Sequence, residues 1–291
     1  MRLVFACSPN QKWINILKSC DVRHILISYH FIKNVDRLIE MLGDYTPDSF
    51  ILDSGAFSVW SRGGTVDIVD YIRFAKELQS RLDPRIELNV VNLDVLPGKF
   101  GEIPTQEQRE QSAIQGWQNM LRLEAEGLKV IHVYHQHEGI EWLDKIREHL
   151  PYIGISPAND CSMKQKLNFM DSCYSRIRDT VKTHGFAVTS SSQLYRYPLF
   201  SADSSSWTVA ARYGRIPLFY DDLSIKSLEY KNKEDVIKHW DYISHIGIDK
   251  LSEDDWEARS ILAVKSYQQL ERVATNLWAK RGIVWDSKNC G

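Results

Sequence analysis

Ser49-Phe50-Ile51-Leu52-Asp53-Ser54-Gly55-Ala56-Phe57 sets the reading of the chain. Phe50, Ile51 and Leu52 form a short continuous apolar run, the pattern of a strand buried on both faces. Asp53-Ser54-Gly55 ends it with turn chemistry, and a helical pattern follows from Ile68 to Leu82. The same unit recurs on either side. Before it, Val4 to Cys7 and His24 to Tyr29 read as strands, with helical stretches at Trp13 to Lys18 and Val35 to Leu42. After it, strands are expected at Ile86 to Leu93, Lys129 to Tyr134, Tyr152 to Ile155, Gly185 to Thr189 and Leu199 to Ala202. The intervening helices fall at Thr105 to Glu126, Ile140 to His149, Lys164 to Lys182, Gln193 to Tyr197 and Trp207 to Arg212. Such alternation implies a closed parallel barrel or a doubly wound sheet. Eight strand–helix units favour an α/β fold of the (β/α)8 TIM-barrel type over residues 1–215.

From residue 216 to 291 the pattern changes to a mostly helical appendage expected to pack on the barrel. Leu218-Phe219-Tyr220 and Leu228-Glu229-Tyr230 can pair as a hairpin, and a helix is expected from Lys233 to His245. A last helix has Ser252 as its N-cap, the acidic run Glu253-Asp254-Asp255 at its positive end and Gly282 just past its end. Trp256, Leu262, Leu270, Val273 and Leu277 share one stripe along it, which reads as a packing face.

The chain has 291 residues, 43% hydrophobic and 25% charged, an ordinary globular composition that can bury a large core. A net charge of -2 excludes a global basic field, so a nucleic-acid partner would have to meet a local patch. Cys7, Cys20, Cys161, Cys173 and Cys290 include no CxxC pair, which argues for a reducing compartment and against a zinc ribbon. No apolar run approaches the ~18 residues of a membrane span, and the apolar part of MRLVFACSPN is too short for a signal peptide. The expectation is a cytoplasmic protein, in the host cell if phage-encoded, without membrane contact. Neither GxGxxG nor GxxxxGK[ST] occurs, so nothing points to a dinucleotide or nucleotide-triphosphate fold.

In a barrel, chemistry sits at the C-terminal ends of strands. That rule gathers Asp53, Asp94, His135-Gln136-His137-Glu138, Gly154 to Ser156, Thr189-Ser190-Ser191 and Asp203-Ser204-Ser205-Ser206-Trp207 on one rim. A single aspartate after a strand serves equally well as a helix cap; three, with polar groups on neighbouring strands, point to a site. Paired carboxylates suit chemistry at an anomeric carbon, one attacking C1′ or steadying an oxocarbenium-like centre and the other moving protons. Composition alone leaves open which aspartate does which. His135 and His137 could share a strand face while His132 points away, and two histidines near aspartates could hold a divalent metal. The lack of a clear carboxylate or cysteine spacing favours a hydrogen-bonding role for His135 and no metal or other cofactor. Cys20 and His24 read as core.

The segment Ile51 to Phe57 resembles the strand-three motif of the tRNA-guanine transglycosylases. Leu93-Asp94 matches their strand-four aspartate, His132 to Gln136 falls at their glutamine-bearing strand end, Tyr152 to Ser156 at their glycine-rich strand, and Phe200 to Trp207 where they carry a nucleophilic aspartate. His184 to Thr189, Arg196-Tyr197-Pro198 and Ser201 to Trp207 are similar to one branch, the DpdA-like proteins of phages and genomic islands linked to 7-deazaguanine in DNA. The resemblance covers roughly residues 1–215. It implies Asp203 as the nucleophile that displaces guanine, Asp53 as general acid/base, and Asp94 as reader of the guanine-like edge. It implies substrate-binding roles for Ser54, Gly55, Phe57, His135, Gln136, Gly154 and Ser156, with Phe57 or Tyr134 stacking on the base. Arg196, Arg212 and Arg215 are expected around the nucleophile, where they could meet phosphates.

The chain departs from the family in three ways. It lacks the C-x-C-x2-C…H zinc site, it has Ala56 for the second glycine of the motif, and His135 stands at the glutamine position. Loss of the zinc module favours DNA over tRNA as the polymer partner, with a 7-deazaguanine base as the second substrate. The target base would be flipped out of a duplex or presented in a single strand. A tRNA-guanine transglycosylase, a carboxylate-pair glycoside hydrolase and a non-catalytic nucleic-acid-binding subunit remain alternatives, and association into a homodimer stays open. The hydrolase reading lacks the D-S-G-x-F context; the non-catalytic one needs none of the three aspartates.

Overall fold

The structure, a computed structural model, describes residues 1–158, 160–177, 181–250 and 256–285. Eight parallel strands close into a barrel in chain order: β1 Arg2–Ala6, β2 His24–Ser28, β3 Ser49–Asp53, β4 Glu87–Val91, β5 Val130–His135, β6 Tyr152–Ser156, β7 Lys182–Gly185 and β8 Ser201–Ser204. The β1–β8 ladder sets Val4 opposite Asp203 and completes the (β/α)8 fold that the alternation of strands and helices predicts. Around it run α1 Gln11–Ser19, α2 Val35–Leu42, α3 Ala56–Trp60, α4 Ile68–Arg81, α5 Gln106–Ala125, α6 Ile140–His149, α7 Met163–Ile177, α8 Ser191–Leu194 and α9 Ser206–Tyr213. Side-chain caps start several of them. Asn10, Asn34 and Asp67 accept N–H bonds from the first turns of α1, α2 and α4, and Thr105 with Gln108 forms a capping box on α5.

Successive residues of each strand alternate between the lumen and the helical layer. Val4, Ala6, Leu26, Ile51, Val91, Ile131 and Val133 fill the lumen together with half-buried Tyr152 and Phe186. The outward residues join the helices in a second, larger apolar cluster. Above the lumen plug, the next inward positions are Ser28, Asp53, His135, Ser156 and Asp203. The apolar interior therefore ends at a polar mouth.

The last two strands lie elsewhere than the apolar pattern places them. β7 occupies Lys182–Gly185, not residues 185–189, and β8 occupies Ser201–Ser204, not 199–202. Ala187 adopts a left-handed backbone (φ 53°) and turns the chain out of the ladder, so Val188 is buried as packing. Leu199 and Phe200 are buried before β8 begins, and the strand itself presents polar Ser201 and Asp203 to the lumen. Asp203 is thus a residue of the strand, not of the loop after it.

Past the barrel, β9 Arg215–Phe219 and β10 Ile225–Glu229 form an antiparallel hairpin, and the helical stretch that follows splits at His239 into α10 Lys233–Lys238 and α11 Trp240–His245. α12 Trp256–Lys280 lies along α9, β9 and β1. Glu271 accepts the backbone N–H of Leu3 at 3.0 Å, and the Trp278 indole donates to the Leu194 carbonyl at 2.8 Å. Leu262, Val264 and Leu270 belong to the same apolar cluster as the barrel's outer layer. Gly282 follows the helix with φ 85°; the expected cap Ser252, the acidic run at 253–255 and Cys290 lie outside the described residues. No described helix is long and apolar enough to cross a membrane.

Trp207, at the start of α9, ties three layers together. Its indole N–H donates to the Ala6 carbonyl at 3.0 Å, and its ring meets Phe5 at 5.9 Å and Trp13 at 4.9 Å. Trp207→Ala is expected to cost about 3–5 kcal/mol, seen as a lower urea midpoint with an unchanged slope. A midpoint equal to that of the parent would contradict this packing role.

Candidate active site

Asp53 closes β3, and the turn after it allows only glycine at position 55. Gly55 has φ 75°, and a Cβ there would lie 2.4 Å from His30 Cβ and 2.7 Å from Ser28 Oγ. The tight turn aims the Gly55 N–H at Asp53 Oδ2, 3.1 Å away. Ser54 is buried and its hydroxyl accepts from Ala56 N at 3.4 Å, so it shapes the turn. Burial pushes the Asp53 carboxyl up to about 6, and the charges of Asp203 and Asp94 push in the same direction. Ser28 and the Gly55 N–H oppose the rise. The Ser28 hydroxyl faces the carboxyl without full hydrogen-bond geometry, since its Oγ has no partner by angle and distance.

Asp203 meets a different environment. Its Oδ1 lies 3.3 Å from His184 Nε2 and accepts the Ala187 N–H at 3.0 Å. The left-handed turn at Ala187 is what swings that N–H toward the lumen. Oδ2 receives no hydrogen bond from a described residue.

Asp94, just past β4, lies with Oδ2 3.1 Å from His135 Nε2. The contact is ionic more than directional, because Nε2 completes no hydrogen bond by angle. Burial pulls the His135 imidazole down, but the Asp94 carboxylate, aided by Glu138, outweighs it and carries the ring up to about 9. Glu138 accepts the His135 backbone N–H at 3.0 Å, and burial lifts its carboxyl to about 7. His137 stacks on His135 with centroids 5.4 Å apart, and burial followed by the His135 charge takes it down to about 4. The two rings are a stacked pair in the β5–α6 connection. His132 points outward, with Nδ1 2.9 Å from Asn92 Nδ2 and its ring beside Trp117. Among the described residues no group of three potential ligands is placed to hold a metal.

Several expected contacts take other roles. Gln136 spends its amide on the β6–α7 loop: Oε1 accepts from Ala158 N at 2.9 Å and Nε2 reaches Cys161 Sγ at 3.6 Å. Gly154 lies one layer below the mouth, where a Cβ would come within 2.6 Å of Phe186 Cε2, so its service is to make room for that ring. Ser156 reaches the mouth. Tyr134 faces outward, buried and stacked on Phe169 at 5.6 Å, which removes it as a base-stacking residue. Phe57 is 49% exposed on the rim and leans on Trp60 and Phe100 at 6.0 and 6.3 Å. His24, bonded to Ser49 at 2.9 Å, and Cys20 are buried core residues.

The expected arginine patch does not form around Asp203. Arg196 is clamped on Asp171 at 2.6 and 3.0 Å, on the outside of the barrel, and Arg215 pairs with Glu229 at 2.6 Å across the hairpin. Arg212 is exposed in the last turn of α9. Parallel strands force the connecting helices to run back, so that turn lies at the barrel end opposite Asp203. Among the described residues, cations on the loops around the mouth include Arg62, 3.4 Å from His30, Lys33 on the loop after β2, Lys99 on the loop after β4, and Arg109 in the first turn of α5 beside His137.

Sequence reasoning overlooked His184 and the Ala187 N–H. The overlooked signal is a histidine in alternate register with Lys182 on a strand whose inward face is polar.

Searches of protein-family models and of curated proteins return no match to this chain. The geometry therefore carries the chemistry by itself. Asp53 is poised to take and give a proton near neutrality, while Asp203 is held by two N–H donors with one oxygen open to the mouth.

The raised Asp53 carboxyl makes a stability prediction. A folded-state value near 6 against 3.8 for the ordinary group means the stabilisation is full below pH 4 and is lost as pH rises through 6. Asp53→Asn should therefore be more stable than the parent at pH 7.5 by on the order of 2–3 kcal/mol, with a higher unfolding temperature, and match it at pH 3.5. An unfolding temperature unchanged at both pH values would show that Asp53 carries no buried charge.

Proposed function

We propose that this protein is a base-exchanging glycosylase that replaces guanine in nucleic acid, DNA in preference to tRNA, with a 7-deazaguanine. The observation that carries the reading is the meeting of Asp53, Asp94 and Asp203 at one mouth in three different electrostatic settings. The resemblance at residues 51–57, 93–94 and 200–207 gives those settings their roles.

Asp203 Oδ2 attacks C1′ as the bond from C1′ to guanine N9 breaks, leaving a covalent aspartyl-sugar. Asp53, in its acid form, supplies the proton that the departing base takes up. The entering 7-deazaguanine gives its N9–H proton back to Asp53 and displaces Asp203 from C1′. Two displacements retain the sugar configuration. Asp94 accepts from the N1–H and 2-amino groups of either base. His135 Nε2 lies 3.1 Å from that carboxylate; the arriving base shares Asp94 with His135 or displaces it. Phe57 and Phe100 are exposed beside the mouth, with half-buried Trp60 packed between them, and base–aromatic stacking contributes about 1–3 kcal/mol per base. The thiols of Cys7, Cys20, Cys161 and Cys173 are free, which suits a reducing cytoplasm.

The test is incorporation of labelled 7-deazaguanine into single-stranded DNA, duplex DNA and tRNA. The parent protein should label DNA more than tRNA. Asp203→Asn should lower incorporation at least about 10³-fold without loss of folding or nucleic-acid binding, and Asp94→Asn should act mainly by raising KM for the base. Near-normal exchange by Asp203→Asn would remove the nucleophile and the reading built on it.

A further inference from the structure

Directly below Asp203 lies a line of polar groups that the exchange chemistry leaves unused. His184, on β7, is fully buried, as is Ser201 on β8. His184 Nδ1 is 2.6 Å from Ser201 Oγ, and that oxygen is 2.5 Å from the Tyr152 hydroxyl on β6. The Tyr152 hydroxyl is also 3.4 Å from Nδ1. On the other side of the ring, Nε2 is 3.3 Å from Asp203 Oδ1. The imidazole is wedged by Phe186, whose ring meets it edge-on at 4.4 Å, and Gly154 is the residue that lets Phe186 come so close.

With the ring neutral, hydrogen-bond accounting gives this line one direction. A carboxylate only accepts, so Nε2 must carry the proton that faces Asp203. In the neutral ring Nδ1 then accepts, Ser201 donates to it, and Ser201 Oγ in turn accepts from Tyr152. Burial raises the Tyr152 phenol above its ordinary range, which keeps it a donor.

We infer that Tyr152, Ser201 and His184 form a buried donor chain that fixes the His184 tautomer and thereby holds Asp203 Oδ1, leaving Oδ2 presented to the mouth. His184 is a positioning residue in this scheme: it touches the attacking carboxylate and never the sugar. The inference rests on Asp203 being the nucleophile for its kinetic consequence, but not for its structural one. The ionisable groups around the chain are Asp53 across the mouth, and Arg2, Glu87 and Lys182 on the first residues of β1, β4 and β7 at the far end of the lumen. Arg2 and Glu87 pair with each other at 3.1 Å.

The test has one arm that needs no activity. In the full chain labelled with ¹⁵N-histidine, with His184 identified by its loss in His184→Gln, the ring should show the neutral Nε2–H tautomer at pH 7. Ser201→Ala combined with Tyr152→Phe, which removes both hydroxyls within reach of Nδ1, should convert it to a mixture. A parent spectrum showing the Nδ1–H tautomer or a doubly protonated ring would overturn the chain. The second arm is the pH profile of base exchange. Removing a donor from a carboxylate disfavours its charged form, so His184→Ala should move the acid limb to higher pH by about one unit. It should also lower kcat by about 10–100-fold with KM nearly unchanged. His184→Gln, whose amide N–H can reach Oδ1, should restore the limb. A His184→Ala profile superimposable on the parent's would overturn the inference even where Asp203→Asn is inactive. Exchange unaffected by Asp203→Asn would instead remove the functional reading, with the tautomer left to decide the chain.

Discussion

Val4, Ala6, Leu26, Ile51, Val91, Ile131 and Val133 plug the barrel from below, and the carboxyl groups of Asp53 and Asp203 stand on that plug. An ion so placed loses part of its hydration and depends on whatever donors the surrounding backbone and side chains supply. The properties of the site follow from how each carboxylate meets that loss. Asp203 recovers two N–H donors, one from a left-handed turn and one from a buried histidine. Asp94 recovers a protonated imidazole. Asp53 has a single backbone N–H and two like charges within reach, so its proton is held to about 6. Three identical side chains thereby sit in three different electrostatic settings.

The supporting positions make sense in the same terms. Gly55 permits a turn that a Cβ would block against His30 and Ser28, and it delivers the one N–H that Asp53 has. Gly154 permits Phe186 to press on His184. Trp207 anchors the strand-eight connection to β1 and α1, which holds Asp203 in the ladder opposite Val4. On the rim, Phe57 and Phe100 are the reverse case, apolar side chains left exposed beside half-buried Trp60.

Most of the barrel is readable in the sequence because most strands carry inward and outward apolar residues together, and their runs stand out against the helices. The reading slips at β7 and β8, where the lumen is lined by His184, Ser201 and Asp203. There the longest apolar stretches, residues 186–188 and 199–200, mark packing beyond the ladder. Asp53 is legible as a polar break after an apolar run, and Asp94 likewise. His184 is not, because a histidine flanked by threonine and glycine carries no pattern until Asp203 and Ser201 are known to face it. The arginines mislead for a different reason. Proximity to Asp203 in sequence says nothing about which end of a returning helix they occupy, and the carboxylates that neutralise Arg196 and Arg215 lie 25 and 14 residues away in the chain.

The most direct test of this account is the identity of the residue that bonds to the sugar. The protein is mixed with a guanine-containing oligodeoxynucleotide in the absence of any exchangeable base, quenched in denaturant at mildly acidic pH, digested, and mapped by mass spectrometry. The account predicts an adduct of one abasic-sugar oligonucleotide on the peptide carrying Asp203, absent from the Asp203→Asn protein. An adduct carried by Asp53 or Asp94, with Asp203 unmodified, would contradict it.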